Sequence, residues 1–215
     1  MKKYIAEFIG TFALVFCGTG AIVINQEFNG LIGHLGIALT FGLIVAVMIY
    51  ALGDVSGAHL NPAVTFAFWI AKELSVKEIF PYALSQFTGA FLASGLLRWM
   101  FPLHETLGSS LPSGSLLQAF LMEVIIAYIL LLVIFQVAKG SKEKGMFAGI
   151  AIGSVVVLTS IFAGPISGSS MNPARSLAPA LISGNMQHIW IYLTAPFIGA
   201  IAAFITWNYF KRSKN

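Results

Sequence analysis

The tripeptide Asn-Pro-Ala occurs twice in this chain, as Asn61-Pro62-Ala63 and, 111 positions later, as Asn172-Pro173-Ala174. A glycine-bearing stretch precedes each copy. Asparagine is a preferred N-cap residue and proline is tolerated at the first helical position, so each motif predicts the start of a helix. The unpaired amides and the positive dipole end of that helix then face the preceding loop. With the amide donors of the asparagine side chains, this chemistry favours hydrogen-bond acceptors and disfavours cations.

The two helices that follow these motifs are too short to cross a bilayer. The apolar stretches 61–70 and 172–182 are about half of the roughly 20 residues that a membrane span requires. Non-helical backbone at membrane depth is tolerated only where it is buried in protein or lines a watery cavity. We therefore predict two re-entrant half-helices whose N-termini meet near the midplane and share one cavity. One Asn-Pro alone would be read as an ordinary capped turn.

The composition places these motifs in a membrane protein. The chain has 215 residues, of which 58% are apolar and 9% charged, and its mean hydropathy is +0.87, which excludes an ordinary soluble domain. Its net charge of +4 comes from dispersed basic residues, so a nucleic-acid partner is not indicated and lipid headgroups account for it. Six stretches approach the length of a membrane span, at 4–24, 35–53, 80–101, 116–138, 146–164 and 188–210.

The two halves of the chain match beyond the central motif. Glu7 corresponds to Glu123, and the segment 86–90 corresponds to 196–200. We interpret this as an internal duplication of about 105 residues within a single domain, 1–215, with repeats at about 1–105 and 116–215. Because each repeat has an odd number of spans, the copies must have opposite topology, related by a pseudo-two-fold axis in the membrane plane.

The orientation follows from the basic residues near the span ends. Ten of the twelve fall on one predicted side, namely Lys2, Lys3, Lys72, Lys77, Lys139, Lys142, Lys144, Lys211, Arg212 and Lys214. The other side holds Arg98, and Arg175 lies inside the second repeat. By the positive-inside rule both termini are predicted to be cytoplasmic. The first loop then re-enters from the cytoplasm and the second from outside.

Together these motifs resemble the aquaporin (major intrinsic protein) family over nearly the whole chain. The resemblance rests on the doubled Asn-Pro-Ala, the run Ser56-Gly57-Ala58-His59 before the first copy, Arg175-Ser176 after the second, and the six spans. It implies an all-α membrane protein with six tilted transmembrane helices plus two half-helices, assembled as a homotetramer in lipid with one pore per subunit. It also implies a passive channel for water and small uncharged solutes that excludes protons and ions, has no enzymatic activity and needs no cofactor or metal.

The resemblance also assigns pore residues. Asn61 and Asn172 would form the central pair, with backbone carbonyls of Gly57, Ala58 and His59 lining the pore. Spacing from the two asparagines transfers the family's four-residue selectivity filter to Phe41, Ser160, Ser169 and Arg175. Strict water channels usually have histidine at the second of these positions, so Ser160 predicts a wider opening. Glycerol channels typically have aspartate after the arginine and a second aromatic residue in the filter, whereas this chain has Ser176 and Phe41 alone.

The segment 163–177, together with 111–115, is similar to the nodulin-26-like intrinsic proteins and in particular to their bacterial relatives. This similarity implies boric or arsenious acid and glycerol as cargo besides water, and it implies a bacterial inner membrane as the location. Phe41 is larger than the residue at this site in the most open members, which disfavours silicic acid. Asp54 departs from the histidine that relatives have there, and either a change at the cytoplasmic mouth or a loop contact would explain it.

Several polar residues in apolar segments have two possible roles. Glu7 and Glu123 are predicted to accept hydrogen bonds from amides of the re-entrant loops; the alternative is a proton relay. Arg175 is predicted to line the pore rather than to anchor the chain at the interface. His34, His104 and His188 lie near span ends, without metal-ligand spacing, and are predicted to be interfacial.

Two other classes of function remain as alternatives to a solute channel. A water-selective aquaporin would have the same motifs with a closed filter. An ion-coupled secondary transporter also has inverted repeats and broken helices, but it needs a coupling site, and only Glu7, Glu123 and Asp54 are acidic candidates. An intramembrane enzyme is disfavoured because no nucleophile has a plausible base nearby in the sequence.

Overall fold

In the computed structural model, which describes residues 1–138 and 145–212, the chain is a bundle of α-helices. The helices are α1 (Lys2–Glu27), α2 (Gly33–Ser56), α3 (Pro62–Ile70), α4 (Val76–Met100), α5 (Leu116–Ala138), α6 (Ala148–Ser167), α7 (Pro173–Ser183) and α8 (Ile189–Arg212). The short α3 and α7, of 9 and 11 residues, are the predicted half-helices. Among the described residues the fold is thus six long helices and two half-length ones, as predicted.

The long helices have the lengths that a membrane requires. Five of them, α1, α2, α5, α6 and α8, are also apolar enough to be membrane spans. The sixth, α4, has 25 residues, about 37 Å at 1.5 Å per residue, so it is long enough although it is more polar. The protein is an integral, multi-pass membrane protein. Most helices extend a few residues beyond the predicted apolar stretches because their ends reach into the polar interface.

Helix packing repeats between the two halves of the chain. α1 packs on α2 and α4, as α5 packs on α6 and α8. The half-helices are exchanged, since α3 packs on α8 and α7 packs on α4, and the two halves also meet directly along α2 and α6. This arrangement is the inverted repeat that the sequence predicted. The repeat limits 1–105 and 116–215 stay a prediction.

Glycines allow the closest helix contacts, at equivalent places in the two repeats. A Cβ atom on Gly199 of α8 would lie 2.7 Å from the backbone oxygen of Val124 in α5, and one on Gly89 of α4 would overlap the backbone oxygen of Phe8 in α1. Gly42 of α2 and Gly153 of α6 make a similar contact where the halves meet. Small residues thus bring the helix backbones together, as is usual in membrane bundles.

Some of the basic residues that predict the orientation are outside the part of the chain that the structure describes. Lys139, Lys142, Lys144 and Lys214 lie outside the described residues, as does the side chain of Arg212. At the N-terminal end, Lys3 forms an ion pair of 2.8 Å with Glu78 at the start of α4. The two cytoplasmic termini therefore stay a prediction.

Candidate functional site

Each re-entrant loop begins with the same backbone turn. α2 ends at Ser56 and α6 at Ser167, and both are followed by a left-handed glycine, Gly57 with φ of 85° and Gly168 with φ of 83°. Two non-glycine residues in each loop also have positive φ, Ala58 and Leu60 in the first, and Ser169 and Met171 in the second. Such conformations are costly and persist only where surrounding contacts hold them. The loops therefore need support from the rest of the bundle.

Glu7 of α1 supports the first loop. This fully buried carboxylate accepts hydrogen bonds through Oε1 from the Ser56 hydroxyl (2.7 Å) and the His59 amide (2.9 Å). Through Oε2 it accepts from the Leu60 amide and from the side-chain amide of Gln86 in α4, both at 2.7 Å. An ionised carboxylate can satisfy several donors at once, so it replaces the partners that the loop amides lack.

Glu123 of α5 does the same for the second loop. Its Oε1 accepts from the Ser167 hydroxyl (2.7 Å) and the Ser170 amide (2.9 Å), and its Oε2 accepts from the Met171 amide (2.8 Å). The loop-support geometry that the sequence predicted is therefore present at both positions. These bonds occupy the oxygens that a proton relay would need to leave open.

The two asparagines bond across the pseudo-two-fold axis. Asn61 caps α3 with its side-chain oxygen, which accepts from the Ala63 amide, while Asn172 caps α7 in the same way. Their Nδ2 atoms donate to the opposite loop, Asn61 to the Met171 carbonyl (2.8 Å) and Asn172 to the Leu60 carbonyl (2.9 Å). Sequence reasoning placed the amides side by side but missed this exchange. Each Nδ2 carries two hydrogens, so one remains for a pore acceptor.

One elongated cavity of about 570 Å³ brings most of the predicted pore residues together. Asp54 and Tyr50 line one end, Phe41, Ser169 and Arg175 line the other, and Asn61, Asn172 and residues 57–59 line the middle. Phe41 and Asp54 are thirteen residues apart on α2, about 20 Å along the helix. The cavity therefore reaches over more than half of the membrane thickness.

The cavity ends where Arg175 meets Phe41. The guanidinium carbon lies 4.9 Å from the centre of the Phe41 ring. Arg175 is 2% exposed, which excludes an interfacial anchor. Ser160, the fourth predicted filter residue, is buried but is not among the described residues that line the cavity. It lies one helical turn beyond Val156, which does line it, so its place in the filter stays a prediction.

The comparison with known proteins follows the same geometry. The sequence profile of the family described as "Major intrinsic protein" matches residues 1–207. The chain belongs to this family. Among its relatives is "Aquaporin NIP1-1" of Oryza sativa subsp. japonica, 47% identical over 97% of this chain and 73% of the relative. "Nodulin-26" of Glycine max is 43% identical over 97% of this chain and 77% of the relative.

A solved structure supports the fold directly. The X-ray structure of the aquaglyceroporin from Plasmodium falciparum superposes with a TM-score of 0.84 at 28% identity, covering 94% of this chain and 93% of that one. With the relatives, it shows that this member of the major intrinsic protein family is a channel for water and small solutes. The resemblance to nodulin-26-like proteins is confirmed, and the two such relatives named above, from Oryza sativa subsp. japonica and Glycine max, are plant proteins.

In this channel the segment between α4 and α5 holds Arg175, which sequence reasoning missed. Arg175 Nη1 donates to the Gly108 carbonyl at 2.8 Å. Gly108 has φ of 71°, and a Cβ atom there would lie 2.9 Å from Thr19 Cβ, so only glycine fits. The Ser110 hydroxyl bonds Ser176 at 2.8 Å. The sequence signal that could have indicated this contact is a glycine in a loop, which often marks a left-handed backbone or a close approach.

His104, which is predicted to be interfacial, follows the end of α4 and is buried by protein, with 6% of its surface exposed. Its Nδ1 accepts a hydrogen bond from the Leu107 amide at 3.0 Å, and Arg98 Nη1 donates to its carbonyl at 2.8 Å. His104 therefore belongs to the structure that presents Gly108 to Arg175.

Metal binding has no support from this geometry. Residues 1–138 and 145–212 contain no group of three or more His, Cys, Asp or Glu side chains that could hold an ion. Besides the Asp54 carboxylate at one end and the His59 imidazole, the polar side chains that line the cavity are hydroxyls, amides and one guanidinium, which suit neutral hydroxylated solutes.

Proposed function

We propose that this channel carries, besides water, small neutral solutes with several hydroxyl groups, namely boric or arsenious acid and glycerol. One observation carries the proposal. Ser169 and Arg175 line the cavity, and Arg175 lies over the Phe41 ring, so a hydroxyl-bearing side chain and a guanidinium border the path of a solute. A solute with several hydroxyl groups can hydrogen-bond both side chains as it sheds hydration water, which offsets part of the cost of losing that water.

The chemistry of a trihydroxy acid fits this pair. One hydroxyl oxygen can accept from the Arg175 guanidinium, and rotation of the Ser169 side chain about χ1 would let its oxygen accept from a second hydroxyl as the solute sheds its hydration water. The Phe41 ring opposite offers an apolar face. Ser160 lacks the bulk of the histidine that narrows strict water channels. The name aquaglyceroporin, printed for the Plasmodium falciparum protein, supports glycerol as a further solute.

Exclusion of protons and ions belongs to the same proposal. The N-termini of α3 and α7 direct positive partial charge at the middle of the cavity. A water there accepts from Asn61 or Asn172 Nδ2 and turns its own hydrogens away, which interrupts a proton wire. Arg175 adds a fixed positive charge at the narrow end. Carbonyls of Gly57, Ala58 and His59 would accept those outward hydrogens.

A passive channel is favoured over a coupled transporter or an enzyme. Family channels are generally non-enzymatic, and we extend that to this chain. Glu7 and Glu123 hold the two loops through seven hydrogen bonds, so neither is placed to bind and release a coupling proton. Asp54 remains as an exposed carboxylate at one cavity mouth, where it can attract or repel charged solutes.

We further propose the cellular setting. The chain forms a single domain of two inverted repeats and assembles as a homotetramer with one pore per subunit. Both termini face the cytoplasm, and the membrane is a bacterial inner membrane. Apolar side chains that face outward along α2 and α6, such as Leu39, Leu43 and Leu158, support burial against lipid or neighbouring subunits.

Stopped-flow light scattering on proteoliposomes tests the cargo. Osmotic shrinkage gives water permeability, and re-swelling in boric acid or glycerol gives solute permeability. We expect boric acid entry well above that of empty liposomes. Ser160→His should depress solute flux more than water flux, whereas Ser154→His, at an exposed position of the same helix that does not line the cavity, serves as the matched control. Unchanged solute flux in Ser160→His would contradict the filter assignment.

The contact between Phe41 and Arg175 favours one alternative function, a water-selective channel. With 4.9 Å between the guanidinium carbon and the ring centre, Arg175 and Phe41 are in contact, so a solute must pass beside the pair and not between them. If boric acid and glycerol enter no faster than into empty liposomes while water flux is high, this candidate is correct and the solute proposal is wrong.

A further inference from the structure

Proline 165 breaks the hydrogen-bond ladder of α6 beside a predicted filter residue. It lies inside α6 and carries no amide hydrogen, so the carbonyl of Ile161, four residues earlier, has no helical donor. Ile161 directly follows Ser160 in the sequence. The Ile161 carbonyl therefore needs a donor from outside its own helix, and helices often bend where a ladder bond is missing.

His34 of α2 supplies the missing donor. Its Nε2 lies 2.7 Å from the Ile161 carbonyl oxygen. A carbonyl only accepts, so the imidazole carries its hydrogen on Nε2. Gly164 makes room for the ring, since a Cβ atom there would lie 2.8 Å from His34 Cε1. Three residues of α6 therefore accommodate the His34 side chain. Ile161 offers its carbonyl, Pro165 leaves that carbonyl without a helical donor, and Gly164 has no side chain to block the ring.

The helices joined by this bond are the two that carry Phe41 and Ser160. Phe41 is two turns along α2 from His34, and Ser160 is the neighbour of Ile161 on α6. Further along α2 from His34, the two helices are in contact at Gly42 and Gly153. The His34 bond therefore joins α2 to α6 beside Ser160 and two turns from Phe41.

We propose that His34 is a positioning residue for the selectivity filter, which it sets by hydrogen bonding the Ile161 carbonyl that Pro165 leaves without a donor. The inference rests on the proposed function, because it assigns Ser160 to the filter. Without the bond, the end of α6 loses its fixed position relative to Phe41, and the passage for solutes that must contact both walls is disturbed more than the passage for water.

The test compares variants that remove the bond with variants that make it unnecessary. His34→Phe keeps a ring but removes the donor, and His34→Gln retains a side-chain amide donor. Pro165→Ala restores an amide hydrogen that can reach the Ile161 carbonyl within the helix. Pro196→Ala is the matched control, since it restores an amide inside α8, away from this contact.

Boric acid and water permeability are measured for each variant in proteoliposomes with equal amounts of reconstituted protein. We expect His34→Phe to lower the ratio of boric acid to water permeability about fivefold, the factor that corresponds to one net hydrogen bond. His34→Gln should stay near the unsubstituted ratio. Combining His34→Phe with Pro165→Ala should restore the ratio, whereas combining it with Pro196→Ala should not.

Two results would overturn the proposal. An unchanged ratio in His34→Phe would show that the bond does not set the filter. Equal loss with and without Pro165→Ala would show that His34 acts by a route other than its bond to the Ile161 carbonyl. If the unsubstituted channel carries neither boric acid nor glycerol, the proposed cargo is wrong. The same rank order of variants is then expected in water permeability per channel, which tests His34 independently.

Discussion

The two re-entrant loops have the same backbone turn but are anchored in different parts of the molecule. In the first repeat Thr65 follows Asn61 by four residues, and its hydroxyl bonds His59 Nδ1 (3.1 Å) and Gln86 Nε2 of α4 (2.9 Å). In the second repeat Ser176 follows Asn172 by four residues. Its hydroxyl bonds Ser170 and, at 2.8 Å, Ser110.

The two loops therefore share a backbone turn but differ in the part of the molecule to which their polar contacts lead. The polar chain of the first loop ends on a membrane helix, whereas that of the second loop ends in the 101–115 segment between α4 and α5, which also holds Arg175 through Gly108. The loop that carries the filter arginine therefore depends on a segment outside the helices. Changes in that segment should alter selectivity without altering the first loop.

The carboxylates that both loops share should give the largest effect. Replacing Glu123 by Leu leaves the buried amides of Ser170 and Met171 without an acceptor, and replacing Glu7 by Leu does the same for His59 and Leu60. We expect each change to cost about 3 kcal/mol or more of stability and to abolish water flux. Thermal unfolding in detergent and proteoliposome water flux are the measurements. If only one of the two variants lost stability and water flux, the two carboxylates would not have equivalent roles in the two loops.

Gly108→Ala should affect the second loop alone. The added methyl group meets Thr19, and alanine is strained at φ of 71°, so the carbonyl that holds Arg175 is displaced. We expect about 1–3 kcal/mol of destabilisation and a changed ratio of boric acid to water permeability. Gly184→Ala is the matched control, because Gly184 has φ of 83° with no atom within 4 Å of the added Cβ. The same permeability ratio in both variants would contradict the role of Gly108.

The equivalent hydroxyls offer a finer comparison. Thr65→Val and Ser176→Ala each remove one buried hydroxyl, and each should cost about 1 kcal/mol of stability. Only Ser176→Ala should shift the permeability ratio, because Ser176 connects the Arg175 loop to Ser110. Unfolding temperatures and stopped-flow ratios distinguish the two variants. Equal shifts in the ratio would mean that the anchoring difference has no functional consequence.

Much of this architecture is predictable from the sequence because its signals are local. Asn-Pro-Ala sets the cap and first turn of a half-helix, and apolar length sets the spans, so helix bounds agree to within a few residues. Glu7 and Glu123 could be assigned because a buried carboxylate requires donors and the loops have amides without partners. These inferences need only short stretches of chain and a rule about unpaired polar groups.

The remaining contacts join residues that no local rule connects. The bond from Asn61 to the Met171 carbonyl joins positions 110 apart in the sequence, and that from Arg175 to Gly108 joins positions 67 apart. His104 and His34 looked like ordinary interfacial histidines because their partners are backbone atoms, which have no side-chain signature. Ser160 was placed by spacing alone, and spacing does not determine where a cavity narrows.

The smallest expected effect is the pH response of the 101–115 segment. Burial lowers the pKa of His104, with Arg98 lowering it further and Glu27 and Glu105 opposing. The folded state therefore favours the neutral ring, whose Nδ1 accepts from Leu107. Above about pH 6.5, the pKa of an unperturbed histidine, this stability is fully present, and it is lost as pH falls through the folded-state pKa.

Lowering the pH from 7.5 towards 5 should thus loosen the contact of Gly108 with Arg175 and change boric acid permeability more than water permeability, while boric acid itself stays neutral. The change should be reversible, with a small fall in unfolding temperature. His104→Asn provides an acceptor that does not titrate in this range, so its permeability ratio should be flat with pH. Persistence of the full response in His104→Asn would place the titrating group elsewhere and would leave the 101–115 segment without a pH-dependent role in selectivity.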